Sequence, residues 1–340
     1  MSPKTLVLAA ASALAFSSAV GAQTKLVFNA YLPVQNAIMR AAPVPWAEAV
    51  AKASASRVRI EFSSAPLAPA PRQLDGVRNG VVDIAMSANS FTRAQAILPM
   101  VGEIPLNSKI SNARAHSLAL WRTYEKFFAK ADEFKGVKVL GMFALSPNYF
   151  YNGKRAIKTL ADARGLKIRT NPDGVAYVDA LGAVVVSKPA PDTFEVISSG
   201  VADGTIMTTW GMFAFNVVDK QPYAWHLPGG FSRSTFTLIM NAKQWDALSA
   251  EDKKAIESVS GEKFADMAGT LMDQFESESI ADMKTRNVQI TAGTDAMTDE
   301  LAARMPKRFD EWVADAQKKG IDAKAVLAFY DQQVAAAAKK

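Results

Sequence analysis

One short pattern occurs twice in this sequence, once in each half of the chain. In the first half, Val77-Arg-Asn-Gly80 ends a predicted helix and Val81-Val-Asp83-Ile-Ala-Met86 follows as a strand. In the second half, Ile197-Ser-Ser-Gly200 is followed in the same way by Val201-Ala-Asp203-Gly-Thr-Ile206. Glycine commonly ends a helix because it adopts a positive φ without a Cβ clash. The repeat therefore predicts two lobes of similar construction, each with a strand directly behind a helix stop.

Strand-like and helix-like segments alternate along the rest of the chain. Lys25–Tyr31 has the apolar character of a strand, and Arg57–Phe62 alternates polar and apolar residues with period two. A helix is predicted between them, around Trp46 and Val50. Strands separated by helices indicate an α/β architecture, and a chain of 340 residues is long enough for two domains.

The last third of the sequence is predicted to be mainly helical. Ser249-Ala-Glu-Asp252 resembles a capping box, in which a hydroxyl accepts from a free backbone N–H. Apolar residues then recur at helical spacing, at Ile256, Val259, Phe264, Met267, Leu271 and Phe275. The pattern predicts a long helix that begins near Ser249 and buries one face.

The first residues have the pattern of an export signal. Lys4 supplies a positive charge, Leu6–Val20 is almost wholly apolar, and Val20–Ala22 offers small side chains for a signal peptidase. We expect residues 1–22 to be a cleaved signal peptide. We also expect the mature protein to be periplasmic and to have no membrane-spanning segment. The sequence contains no cysteine, so we expect a buried core, without disulfides, to stabilise the fold.

Charge and composition exclude some classes of partner. The chain has 39 basic and 33 acidic residues, a formal net charge of +6, and the basic residues are scattered. A nucleic-acid-binding surface would concentrate them on one face, so no nucleic-acid partner is predicted. The charge supports only a weak attraction for anions.

The common catalytic signals are missing from the sequence. It has no Gly-x-Ser-x-Gly elbow, no His-Glu-x-x-His, no phosphate-binding glycine loop and no thiol. Its two histidines, His116 and His226, are isolated, and each is assigned a structural or surface role. We therefore predict no enzyme activity, no metal site and no cofactor.

The strongest candidate for a functional residue is Arg169. A short helix capped by Thr159 is predicted to end at Gly165, and the strand Leu166-Lys-Ile-Arg169 follows. Arg169 therefore lies at the carboxyl end of a strand, where open α/β sheets have their ligand crevices. A guanidinium group matches the two oxygens of a carboxylate. From these residues alone, an arginine paired with a structural acid, or exposed to solvent, is favoured over a carboxylate clamp.

Several segments together resemble one known family. These segments are Gly165–Arg169, Leu181–Ala183, Glu195, Gly200–Gly204, the Tyr31–Pro33 loop after the opening strand, Asn79–Asp83 and Met240–Trp245. In order and spacing the chain resembles the extracytoplasmic solute receptors (DctP type) of tripartite ATP-independent periplasmic (TRAP) transporters. The resemblance implies a two-lobe, type II-like periplasmic binding fold with a long interlobe helix. It also implies that Arg169 pairs with the ligand carboxylate and that integral membrane permease subunits are the partners.

The resemblance also implies how the chain is divided. Residues 23–146 with 235–274 are expected to form lobe I, and residues 147–234 with 275–340 lobe II. The ligand is expected between the lobes. Its candidate contacts are Arg169, Trp210, Tyr149, Asn148, Thr209, Met207 and Phe213 in lobe II, and Asn89, Tyr31 and Gln35 in lobe I.

Two departures from the family pattern bear on the ligand. Many members have a second polar or basic residue about twenty positions before the key arginine, whereas this chain has Ser146–Asn152, with its two tyrosines. Relatives that bind sialic-acid-type ligands have an asparagine where this chain has Met207–Trp210. A dicarboxylate would want a second cation, because an unpaired buried charge is costly. We therefore favour a monocarboxylate with an apolar or aromatic body.

Three alternatives remain open from the sequence. The first is a C4-dicarboxylate receptor of the same class. The second is a periplasmic enzyme that uses Arg169 to hold an acid substrate. The third is a sensory binding module that passes its ligand-bound form to a receptor kinase.

Overall fold

The computed structural model describes residues 23–339, without the side chain of Pro172, and the predicted signal peptide lies outside this range. The strands are β1 (Thr24–Asn29), β2 (Val58–Phe62), β3 (Ile84–Ala88), β4 (Val137–Ala144), β5 (Tyr149–Asn152), β6 (Lys167–Thr170), β7 (Val184–Ser187), β8 (Gly204–Met207), β9 (Tyr223–His226), β10 (Thr235–Asn241) and β11 (Gln289–Ala292). The helices are α1 (Ala37–Ala41), α2 (Pro43–Ala53), α3 (Gln73–Arg78), α4 (Ala113–Thr123), α5 (Val175–Ala180), α6 (Thr193–Ser198), α7 (Thr209–Ala214), α8 (Ala242–Ala247), α9 (Ala250–Glu257), α10 (Glu262–Thr285), α11 (Asp295–Ala303), α12 (Asp310–Lys318) and α13 (Ala323–Ala337).

The strands form two sheets, and each sheet is the centre of one lobe. The first sheet has the order β2-β1-β3-β10-β4, with β1 parallel to β2 and β3, and β10 antiparallel to β3 and β4. The second has the order β11-β9-β5-β8-β6-β7, with β6 parallel to β7 and β8, and β5 antiparallel to β8 and β9. The chain crosses between the sheets from β4 to β5, from β9 to β10 and, through α10, from β10 to β11. The predicted α/β class and two-lobe architecture are confirmed.

The repeated sequence pattern has the same structural role in both lobes. Gly80 (φ 70°) and Gly200 (φ 73°) each end a helix in the left-handed region. The Asp83 side chain then accepts from the backbone N–H of Val27 (2.8 Å), and the Asp203 side chain accepts from that of Lys167 (2.9 Å). Each aspartate thus ties the start of its own strand to the parallel strand beside it, which explains why the pattern occurs twice.

Each sheet is covered on both faces by helices, so both faces are apolar. In the second lobe, Phe150, Ile168 and Ile206 lie on one face and belong to a core that includes residues of α5 and α11. Tyr151 and Met207 lie on the other face and pack with residues of α6, α7 and the end of α10. Successive side chains along each strand point alternately into these two cores, as the pleat of a sheet requires.

The helix predicted to begin at Ser249 is present, but it is interrupted. Residues 258–261 separate α9 from α10, and Gly261 has a φ of 63° and donates its N–H to the carbonyl of Leu140 (2.7 Å). A Cβ at this position would lie 3.0 Å from the ring of Trp121, so glycine suits both the turn and the packing. The interlobe helix is α10, with 24 residues, which packs against α1 and α4 of the first lobe and α7 of the second.

The last two helices, α12 and α13, pack in the first lobe, whereas the expected division of the chain places them in the second. Trp312 of α12 and Tyr330 of α13 are buried in the same core as Leu120 of α4 and Val101, which belong to the first lobe. The indole Nε1 of Trp312 donates to the carbonyl of Leu98 (3.2 Å). Assigning all of residues 275–340 to the second lobe is therefore wrong for α12 and α13, because their apolar faces complete the first core.

Within residues 23–339, no helix combines the length and the apolar character needed to cross a membrane.

Candidate functional site

Arg169 lies at the carboxyl end of β6, as predicted. It pairs in register with Thr205 of β8 and Val186 of β7, and Thr205 in turn pairs with Tyr151 of β5. Residues in register point to the same face of a sheet. The Arg169 side chain therefore shares a face with Tyr151, and with Tyr149 two residues earlier, at the edge of the second lobe where β4 crosses into β5.

The guanidinium of Arg169 is buried and has neutral partners. Its residue is 1% exposed, Nε donates to the carbonyl of Lys188 (3.0 Å), and Nη2 donates to Oδ1 of Asn171 (2.5 Å). No carboxylate of residues 23–339 forms an ion pair with it, and burial lowers the pKa of Arg169 to about 10. The group therefore stays charged at neutral pH. A buried cation held by neutral acceptors is suited to an incoming anion.

Aromatic side chains lie on the same face of the second sheet. The Tyr149 ring stacks on the His226 ring with centroids 3.9 Å apart and planes 10° apart. The Tyr151 hydroxyl lies 3.4 Å from His226 Nε2. Burial lowers the pKa of His226 to about 4, so its imidazole is neutral at neutral pH. His226 was not among the contacts predicted from the sequence. Its position, at the end of a strand and beside Trp225, was the available signal.

Thr209 and Glu276 connect the second lobe to the interlobe helix. The Thr209 hydroxyl lies 2.8 Å from the Tyr151 hydroxyl and donates to the Glu276 carboxylate of α10. The backbone N–H of Thr209 also donates to Glu276 (3.3 Å). Burial raises the pKa of Glu276 to about 7. Because these groups engage both sides of the Thr209 hydroxyl, Thr209 holds α7 against α10 instead of offering a free contact.

Trp210 follows Thr209 and reaches the other lobe. Its half-buried ring packs against the first-lobe core, the core that Tyr31 also packs against. The indole Nε1 is buried and has no hydrogen-bond partner among the described residues. Met207, which ends β8 just before this segment, is buried on the face that carries Tyr149. Trp210 and Tyr31 are therefore two of the predicted contacts that the structure places where the two lobes meet.

Three other predicted contacts are not brought together with Arg169. Asn89 is buried and bonds to two threonines of β10, donating to Thr235 Oγ1 (2.8 Å) and accepting from Thr237 (2.7 Å). Gln35 is exposed on a turn. Phe213 lies 5.4 Å from the guanidinium of Arg286. The polar groups of Asn89 are satisfied within the first lobe, so its role is structural.

A cavity of about 290 Å³ lies between the lobes. Asn148, another predicted contact, lines it and donates through Nδ2 to Ser232 Oγ (3.2 Å). Asn171, which accepts from Arg169, lines it as well. Much of the remaining wall consists of residues that the sequence analysis did not select, and these include Arg93, Met100, Glu103, Tyr177, Arg233, Arg308 and Trp312. They come from loops and from α12, where no periodic pattern signals a shared site.

The arrangement can bind an anion and an apolar body beside it. Among residues 23–339, no three His, Cys, Asp or Glu side chains are grouped so that they could hold a metal ion. The buried acid of the site, Glu276, is engaged by the Thr209 hydroxyl and by backbone N–H groups.

Comparison with known proteins identifies one family. Residues 28–315 match the DctP family, described as bacterial extracellular solute-binding protein, family 7. A relative from Comamonas testosteroni, named outer membrane transporter protein TsaT, is 32% identical over 314 residues, which are 92% of this chain and 92% of that protein.

Crystal structures of similar proteins share the fold along nearly the whole chain. A TRAP periplasmic solute-binding protein from Bordetella bronchiseptica, with bound (R)-mandelate and (S)-mandelate, has a TM-score of 0.81 at 28% identity and covers 92% of this chain and 98% of its own. A TRAP solute-binding protein from Rhodoferax ferrireducens, with copurified benzoate, has a TM-score of 0.80 at 25% identity and covers 93% and 99%.

Proposed function

The chain belongs to the DctP family of bacterial extracellular solute-binding proteins, and we propose that it captures an aromatic monocarboxylate for a TRAP transporter. The family's receptors bind small organic acids and work with membrane permease subunits, and the family is periplasmic. The ligand, the individual contacts and the partner subunits of this chain are our proposal. This proposal is preferred to three alternatives, which are a C4-dicarboxylate receptor, a sensory module and an enzyme.

The observation that carries the proposal is the buried charge of Arg169. Taking a cation out of water costs several kcal/mol unless an anion and hydrogen bonds compensate it. Arg169 has the hydrogen bonds, to Lys188 and Asn171, but no carboxylate partner among the described residues. A ligand carboxylate would supply the missing charge and could form the bidentate pair that guanidinium favours.

The surroundings favour a flat apolar body. Tyr149, Tyr151 and Met207 share the face of Arg169, and Trp210 reaches from the second lobe to the first. Asn148, the neighbour of Tyr149, and Asn171, the hydrogen-bond partner of Arg169, line a cavity of about 290 Å³. This volume accommodates a single-ring acid, since a cavity of about 150 Å³ holds a benzene ring. The similar proteins from Bordetella and Rhodoferax contain mandelate and benzoate, which are acids of this kind.

We propose that delivery follows from closure of the lobes. A ligand that contacts both lobes binds most tightly where both contacts are made, and so shifts the protein toward the closed arrangement. The permease subunits would then recognise that arrangement. Cleavage after Ala22 would release the mature receptor into the periplasm, and the receptor would pass its ligand on chemically unchanged.

A thermal-shift panel tests the ligand class. We expect benzoate and mandelate to raise Tm by several degrees when every acid is tested at the same concentration, because a ligand that binds only the folded protein stabilises it. Cyclohexanecarboxylate, which keeps the charge without the aromatic ring, is the matched control and should act more weakly. Selective stabilisation by succinate or malate would contradict the proposal.

A further inference from the structure

A second buried arginine, Arg233, faces the cavity between the lobes. It lies in the segment that joins β9 to β10, is 3% exposed, and lines the cavity between Ser232 and Ser234. Its Nη2 donates to the carbonyls of Ile110 (3.0 Å) and Gly229 (3.2 Å). These two bonds fix the guanidinium through one nitrogen.

The other terminal nitrogen of Arg233 is left without a partner. Nη1 is buried and forms no hydrogen bond with any described residue. No carboxylate of residues 23–339 forms an ion pair with Arg233, and burial lowers the pKa of its guanidinium. A buried N–H of a charged group that lacks an acceptor is costly, so this donor needs a partner that the chain does not supply.

A second unpaired donor lies in the same wall. Arg308, which follows α11, also lines the cavity, and its Nη1 donates to the carbonyl of Ala302 (3.1 Å). Its Nε is buried and has no partner among the described residues. The third arginine of the wall, Arg93, differs because it forms an ion pair with Glu311. Two arginines of the wall, Arg233 and Arg308, therefore each have a buried N–H without an acceptor among the described residues.

The acidic groups of the wall do not satisfy these donors. Glu103 is engaged by β10, since its Oε1 accepts from the backbone N–H (2.8 Å) and hydroxyl (2.7 Å) of Thr235. Glu311 pairs with Arg93, and Asp173 is exposed. The cavity therefore combines apolar surface, from Met100 and Trp312 for example, with donors that lack acceptors.

We propose that the Arg233 end of the cavity is a subsite for a second oxygen acceptor of the ligand. This inference rests on the proposed function, in which Arg169 holds the carboxylate. Asn171 accepts from Arg169 and lines the same cavity as Arg233, so a carboxylate near Asn171 and a ring substituent near Arg233 would occupy one cavity. The preferred ligands are then aromatic monocarboxylates whose ring has an oxygen substituent.

The test compares ring-matched ligands by calorimetric titration. The pairs are 3-hydroxybenzoate with 3-methylbenzoate and 4-hydroxybenzoate with 4-methylbenzoate, which have nearly the same shape and differ in the acceptor. We expect at least one hydroxylated acid to bind the unmodified protein about tenfold more tightly than its methyl partner, because only the hydroxyl satisfies the Arg233 donor. Terephthalate is added to distinguish an anionic acceptor from a neutral one.

The variant Arg233→Met should reduce that preference to less than about threefold while the methyl acids keep their Kd. Arg233→Lys, which keeps the charge but loses Nη1, serves as the second variant if the first fails to fold. The exposed Arg164 lies outside the cavity, so Arg164→Met is the control and should keep the full preference.

Equal affinity for the two members of both pairs in the unmodified protein overturns the subsite and leaves the proposed function intact. A preference that survives in both Arg233 variants overturns it as well. Failure of all the aromatic acids to bind would overturn the proposed function together with it.

Discussion

Two residues at the site combine burial with ionisable chemistry in different ways. Arg169 keeps its charge and has neutral partners, so it is ready for an anion. Glu276 is an acid whose pKa is raised to about 7 by burial, and it receives the hydroxyl of Thr209. Arg169 is therefore suited to bind an anion. Glu276 bonds α10 to Thr209 of the second lobe, and its protonation depends on pH.

The pKa of Glu276 predicts a pH-dependent contribution to stability. Between about pH 4.5 and pH 7 the folded protein keeps a proton on this group that the unfolded chain has lost, so its contribution falls as pH rises through this window. The buried His226, whose pKa is lowered, acts in the opposite direction below about pH 6.5. We therefore compare Glu276→Gln with the unmodified protein at each pH.

The difference in Tm, variant minus unmodified, should rise by several degrees from pH 5 to pH 7.5, since the shift corresponds to about 2–3 kcal/mol. Glu278→Gln, on the exposed side of α10, is the control and should show a flat difference. A flat or falling difference for Glu276→Gln would show that Glu276 is already ionised in the folded protein at low pH.

At the scale of elements, the repeated aspartates are the simplest feature to test. Asp83 and Asp203 each accept a hydrogen bond from a backbone N–H of a neighbouring parallel strand. This is the sequence pattern that the two lobes share. Each aspartate also follows a helix that ends at a glycine with positive φ. The same local chemistry thus begins a central strand in both sheets.

Alanine at either aspartate should lower the free energy of unfolding by about 1–3 kcal/mol, because it leaves a strand N–H without its acceptor. Asparagine keeps an acceptor oxygen, so Asp83→Asn and Asp203→Asn should cost less than the alanine variants. Urea denaturation of the four variants measures this. If alanine and asparagine cost the same at both positions, the carboxylate oxygen does not hold the strand.

Local sequence patterns predicted the elements well where local physics decides the structure. The strand before Arg169 and the helix start at Ser249 follow from alternation and capping, and Ser249 does accept from the Asp252 N–H (3.1 Å). The break at Gly261 was missed because the apolar stripe continues through it. What fixes it is the packing of that glycine on Trp121, which is distant in sequence.

The contacts at the site were harder to predict for the same reason. Asn89 and Thr209 have residue types that suit ligand binding, but their polar groups bond to β10 and to α10, respectively. Arg233 lies in an irregular segment, so no periodicity indicates its direction. Which polar group is satisfied inside the fold depends on contacts between distant segments, and a single sequence does not display them.

At the scale of the whole molecule, the chain joins the two lobes at several places. Two short segments and α10 connect the sheets, and α10 packs against helices of both lobes. The helices α12 and α13 pack on the first lobe and add Trp312 to the cavity wall. Under the proposed function, a ligand held by Arg169 in one lobe and contacting the other lobe would couple its binding to the arrangement of both.

The most direct test of this account is calorimetric titration of benzoate into the unmodified protein and into Arg169→Lys. Loss of the bidentate pair should weaken binding at least about tenfold, because a hydrogen bond to a charged group contributes about 1.5–3 kcal/mol. Lys167→Ala is the control, since it removes an exposed charge two residues earlier on the same strand, and it should leave the Kd within about threefold. If Arg169→Lys also binds benzoate within threefold of the unmodified protein, Arg169 does not hold the carboxylate and the account is wrong.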